Sequence, residues 1–256
     1  MKKMVDLNSD VGESFGAYTL GNDDEVLTYV TSANIACGYH AGDHTVMART
    51  TALAKQHGAA VGAHPGFPDL GGFGRRLMEV DPEEIYHLMV YQIGALQGFC
   101  ETENINIRHV KPHGALYNQA AGDPDTAEAV VEAVKRINPG LILFAPAGSK
   151  LVKTGRQKSL TVASEVFADR TYQPDGLLTP RSQPDAVLKD PDQAAERILH
   201  MLSSGEVEAV DGTKLPVEAD TICVHGDTPV ALQFLDRLYH MLRQCDVTLQ
   251  IPGDSQ

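Results

Sequence analysis

The chain has 256 residues, 43% hydrophobic and 21% charged, so a sizeable core is available and disorder is excluded. Thirty-four acids against 21 lysines and arginines give a net charge of −13, which repels nucleic-acid backbones and anionic membranes but leaves room for a small anion in a locally basic pocket. No run approaches the ~20 apolar residues of a membrane helix, no apolar signal segment follows Lys2 and Lys3, and Cys37, Cys100, Cys223 and Cys245 form no CxxC pair, so a reduced cytoplasmic protein is expected.

The first element, VDLNSDVGESFG at 5–16, reads as a strand with Asp6, Asn8 and Asp10 on one face and Val5, Leu7 and Ser9 on the other. Short apolar runs then recur: ANIAC, AAVGAH, RHVKPH, LILFAP, LTVASE and TICVHG, each of a length suited to a buried parallel strand. With the first they make seven, and VTLQI near the C-terminus is a weaker eighth. Helices announce themselves between them. Asp81-Pro82, Asp123-Pro124 and Asp190-Pro191 each pair a capping acid with a proline at the first helical position, so these acids have structural work and need no chemistry. His87, His200 and His240 fall within helical periods as surface or packing residues. Residues 205–220, with a central Asp211-Gly212, predict a small β-hairpin insertion.

Alternating strands and helices mean a parallel sheet, open or closed. An open sheet gathers ligand groups at one switch point, whereas a barrel collects them from many strand ends. Here Asp10 and Glu13, His40 and Asp43, His64 and Asp69, Lys111 and His113, Glu165 and Asp169, and His225 and Asp227 follow six of the runs, and LILFAP alone ends without an ionisable group. The expectation is an α/β fold, a single (β/α)7-type barrel domain over residues 1–256, with Asp6, Asn8 and Asp10 pointing into the lumen. Interior carboxylates persist only beside cations, donors or a metal.

The strand ends supply the site candidates. In ACGYHAGDH, Asp43 is a helix cap and Gly38 and Gly42 are turn formers, while His40 stands in the loop itself; the His40–His44 spacing lacks the HExxH context of a metal pair. GAHPGFPDLGGFGRR puts His64 at a strand end before a glycine-rich loop, where Arg75 and Arg76 make a clamp for a carboxylate or phosphate, unless one of them pairs with a surface acid. HVKPHGALYN places Lys111 and His113 on one face, and a lysine there needs Asp6 or Asp10 as partner. The excursion from 164 to 187 offers Glu165, Asp169, Arg170, Tyr172 and Arg181 toward substrate, and VHGDTP offers His225. No phosphate loop, dinucleotide fingerprint or serine-nucleophile elbow is present.

DLNSDVGESFG, NIACGYHAGD, GAHPGFPDLGGFGRR, VKPHGALYN, EVFADRTY, PRSQPDAV and CVHGDTP, in order along nearly the whole chain, resemble the lactam-utilisation family. The resemblance implies a seven-stranded barrel related to the glycoside hydrolase/deacetylase barrels. It also implies ATP-dependent hydrolytic opening of 5-oxo-L-proline to L-glutamate, run with two partner subunits, B and C, with ATP and Mg2+ as co-substrate. On that footing Asp10, His64, Lys111 and His113 are the catalytic candidates, and Asn8, His40, Arg75, Arg76, Glu165 and His225 the substrate-binding ones. Two alternatives stay open. One is a metal-dependent deacetylase-like hydrolase with Asp10, His40, His64, His113 and His225 around Zn2+ or another ion; the other is a non-catalytic assembly protein.

Overall fold

The computed structural model describes residues 4–224 and 231–253. All seven expected runs form strands: β1 (Met4–Val11), β2 (Ser32–Ala36), β3 (Ala60–His64), β4 (His109–Val110), β5 (Ile142–Pro146), β6 (Thr161–Phe167) and, after the hairpin β7 (Glu206–Glu208) and β8 (Lys214–Pro216), β9 (Thr221–Cys223). Strands β1 to β6 pair in sequence order, all parallel, then β6 pairs with β9 and β9 returns to β1, so the sheet closes into a seven-stranded barrel. The VTLQI run supplies β10 (Thr248–Leu249), which meets only Met4 and Val5 of β1 and stands outside the ring.

Eight helices among the described residues wrap the barrel: α1 (Asp23–Val26), α2 (His44–His57), α3 (Pro82–Thr102), α4 (Gly114–Gly122), α5 (Pro124–Ile137), α6 (Lys150–Gln157), α7 (Pro191–Ser204) and α8 (Ala231–Gln244). The caps behave as the sequence implies. Asp43 accepts from the Thr45 and Val46 amides, Asp123 from Thr126 and Asp190 from Asp192; Asp81 holds the cap position of α3 without a side-chain bond. In α3, Ile85, Leu88, Met89, Ile93 and Leu96 recur every three or four residues and are buried, each contributing about 1.5–3 kcal/mol by leaving water. His87, His200 and His240 are exposed on their helices. None of these helices is long and apolar enough to cross a membrane. All four cysteines are free thiols.

The apolar core lies between the strands and the helices, while the lumen is polar. Strand β4 is shorter than its run predicts because Pro112 has no amide hydrogen to donate. Its neighbours still bond as a strand would, Lys111 N to the Ala63 carbonyl at 2.9 Å and His113 N to the Pro65 carbonyl at 2.8 Å, and His113 then caps α4. Strand β6 runs past Glu165, so this side chain belongs to the barrel wall and not to the excursion that follows.

Candidate active site

The lumen is built in tiers from alternate residues of β1. At the bottom, Asp6 is fully buried; its Oδ1 accepts from Thr31 at 2.6 Å and Ser32 at 2.7 Å, and its Oδ2 from Thr221. Burial raises its pKa to about 6 against the opposing pull of these hydroxyls. Lys111 therefore does not pair with Asp6, one of its two expected partners. Asp10 lies four residue steps along the strand from Asp6, roughly 13 Å, more than one lysine spans.

In the middle tier Asn8 donates to Glu165 at 2.9 Å and to Thr221 at 2.7 Å, and accepts from Asn34 at 2.7 Å. The Asn34 carbonyl oxygen accepts from His109 Nε2 at 2.7 Å, which fixes the tautomer of a ring whose pKa burial lowers to about 3. Strand β3 carries Gly62 here because a Cβ would lie 2.1 Å from His109 Nε2.

The upper tier gathers the ion-paired and imidazole groups. Asp10 Oδ1 accepts from Lys111 Nζ at 3.0 Å and from Asn34 at 2.9 Å. Lys111 also lies 2.9 Å from Glu165 Oε1. Burial opposes its charge, but the carboxylates of Asp10 and Glu165 outweigh burial and hold the ammonium well above the usual lysine range. Tyr117 donates its hydroxyl to Glu165 Oε2. Asp10 Oδ2 lies 3.3 Å from His64 Nε2, which in turn is 2.9 Å from His113 Nδ1. The outer nitrogens are held by main-chain carbonyls, His64 Nδ1 at 2.7 Å from Lys111 O and His113 Nε2 at 2.8 Å from Phe73 O. The His40 ring stacks on His113 with centroids 3.7 Å apart, and its Nε2 lies 3.7 Å from Glu13 Oε1. Burial pushes both His40 and His113 well below the usual histidine pKa. Glu13, His40, His64 and His113 each present a ligand atom within 4.8 Å of the others.

Above this tier opens a cavity of about 510 Å³, lined by Asp10, His64, Lys111, His113, Tyr117, Arg75, Arg170 and Arg181. Its volume suits a small metabolite. The glycine-rich loop reaches down from one side. Phe73, at φ 56, turns its carbonyl to His113, and position 74 is glycine, at φ 63, because a Cβ there would lie 2.7 Å from His40 Cβ and 2.9 Å from the His113 ring. The two arginines of that loop part company: Arg75 lines the cavity, whereas Arg76 points to Asp69 in an ion pair on the surface.

Of the sequence candidates, Asp10, His64, Lys111, His113, Asn8, His40 and Glu165 converge in the lumen, and Arg75 on the cavity above it. His225, with Asp227 and Thr228, lies outside the described residues. Four contributors carry no role in the sequence reading: Glu13, Asn34, His109 and Tyr117. Asn34 has a usable signal, since it is the one polar residue inside ANIAC and its register partner is Asp10. Glu13 comes inward because Gly12, at φ 70, breaks the strand alternation, which a period-two reading misses.

The chain matches the LamB/YcsF family over residues 5–255. It is 60% identical over 250 residues to the A subunit of 5-oxoprolinase from Halalkalibacterium halodurans, covering 98% of this chain and 97% of that one. It is 54% identical over 243 residues to the A subunit of 5-oxoprolinase from Bacillus subtilis, covering 95% of each. The crystal structure of the lactam utilization protein from Thermus thermophilus superposes with a TM-score of 0.91 at 47% identity, over 98% of this chain and 99% of that one.

Proposed function

This chain belongs to the LamB/YcsF family, and we propose on that premise that it opens 5-oxo-L-proline to L-glutamate as one component of an ATP-dependent, multi-subunit hydrolase. The observation that carries the reading is the 60% identity to a 5-oxoprolinase A subunit over 98% of this chain. The buried charges support it, since a scaffold has no use for a desolvated Lys111–Asp10–Glu165 network.

A five-membered lactam is an unstrained, resonance-stabilised amide, and opening it is uphill without coupling. Transfer of the ATP γ-phosphoryl group to the lactam oxygen gives an activated imidate that water attacks at the former carbonyl carbon. The attacking water loses a proton, the C–N bond breaks and the ring nitrogen gains a proton, which leaves γ-glutamyl phosphate; a second water then breaks the acyl–phosphate linkage and releases L-glutamate and inorganic phosphate. Asp10, aimed by Lys111 and Asn34, is the base for that water. The buried Lys111 ammonium offsets charge that builds on oxygen. The proton that Asp10 takes from the water is passed on to the departing nitrogen, so one carboxylate serves first as base and then as acid. Arg75 holds the substrate carboxylate at the cavity wall. The sequence has no phosphate loop, so ATP with its Mg2+ is handled with the B and C subunits, in the cytoplasm.

Reconstitution tests this. The chain alone should release little glutamate from 5-oxoproline and ATP, and release should appear when both partner subunits are added. Full turnover by the isolated chain, or none by the complete set, would contradict the proposal.

A further inference from the structure

The proton count in the upper tier does not close. His64 Nδ1 and His113 Nε2 each face a main-chain carbonyl, which only accepts, so each of these nitrogens carries its ring's hydrogen. A neutral imidazole has one such hydrogen. The inner nitrogens, His64 Nε2 and His113 Nδ1, therefore confront each other as lone pairs at 2.9 Å. Asp10 Oδ2 stands 3.3 Å from the first and Glu13 Oε1 4.0 Å from the second. His40 is fully buried, and neither of its ring nitrogens has a hydrogen-bond partner. So many converging lone pairs call for a cation.

We propose that Glu13, His40, His64 and His113 bind one divalent transition-metal ion of the zinc class at the floor of the cavity. A single proton between His64 and His113 would leave the His40 nitrogens unserved, whereas a metal ion engages all four side chains. Outer nitrogens held by the Phe73 and Lys111 carbonyls are the usual support of ligating histidines, because they fix the tautomer and turn the bare nitrogen inward. Three imidazoles and one carboxylate suit zinc better than magnesium or calcium, which prefer oxygen. Ligand atoms of a tetrahedral zinc ion lie roughly 3.4 Å apart, so the set, now within 4.8 Å, draws in on binding.

The inference stands on this cluster and not on the 5-oxoproline reading, and its test uses no substrate. The tag-free full chain is stripped with a chelator, dialysed against micromolar ZnCl2 and assayed for bound zinc, with imidazole 15N spectra recorded before and after. The wild type should retain about one equivalent per chain, and the His64 and His113 inner nitrogens should shift. His40→Asn and Glu13→Gln should each lose most of that zinc, and whichever keeps the metal-free wild-type melt is the one read. The exposed His87, His200 and His240 remain in both variants and report adventitious binding. No retained zinc in the wild type, equal retention in the variants, or a His64–His113 pair that stays protonated between its rings with zinc present would overturn the proposal. Failure here leaves the 5-oxoproline assay untouched, and failure of that assay leaves this one.

Discussion

Asp6 and Arg75 show how position sets the work of a charged residue. Asp6 sits among hydroxyls with no cation beside it among the described residues, and its pKa near 6 exceeds the unfolded value of 3.8. The folded state therefore binds more protons between those values, and the contribution of Asp6 is greatest below pH 3.8 and lost as pH rises through 6. Asn at this position cannot titrate. The stability difference between wild type and Asp6→Asn should move in favour of the wild type on acidifying from about pH 7.5 to about pH 4.5, by about 2 kcal/mol. Denaturant melts at the two pH values check this, and parallel curves would show that Asp6 is ionised throughout. At the cavity wall, Arg75→Ala should raise KM for 5-oxoproline about tenfold, the value of one charge-assisted contact, with the melt unchanged. Arg76→Ala should leave KM near wild type because its guanidinium is turned to Asp69. Equal KM values in the two variants would remove Arg75 from the anion site.

Strands β3 and β4 depend on each other through one missing methyl group. Gly62 leaves the space that the His109 ring fills, and that ring cannot step aside without losing its bond to Asn34. Gly62→Ala should cost about 1–3 kcal/mol by overpacking, and the cost should shrink in a His109→Ala background, as a double-mutant cycle of denaturant midpoints would show. An undiminished cost would mean that the strain lies in the backbone of β3 itself. This is also where sequence reading reaches its limit. Aspartate–proline caps, apolar run lengths and polar residues after each strand are local signals, and they placed the helices, the seven staves and the Asp10, His64, Lys111 and His113 cluster. Which residue faces which across the lumen depends on how the strands are staggered around the ring. That is why the sequence offers Lys111 an acidic partner from β1 but not the choice of Asp10 over Asp6, and why it assigns Glu13 and Tyr117 no role. The divided fates of Arg75 and Arg76 follow from the turn at Phe73, which composition alone does not reveal.

For the whole molecule, the barrel separates stability from chemistry along its axis. The helices and the outward strand faces carry the apolar core, the lower lumen holds Asp6 among hydroxyl donors, and the ion-paired charges are concentrated at the open end beneath the cavity. Such a division lets the upper tier keep buried charges that would be costly elsewhere, because Lys111 is matched on both sides by Asp10 and Glu165. Asp10→Asn keeps the shape of the side chain and its place beside Lys111 while removing the base. The most direct test is a single-turnover assay of glutamate formation from 5-oxoproline and ATP with the B and C subunits present, run on wild type and Asp10→Asn beside a thermal melt of each. Asp10→Asn should fold with a cooperative melt and form glutamate at least about a hundredfold more slowly, the usual loss for a general base. A folded Asp10→Asn protein that forms glutamate at the wild-type rate would contradict the assignment of the chemistry to this end of the barrel.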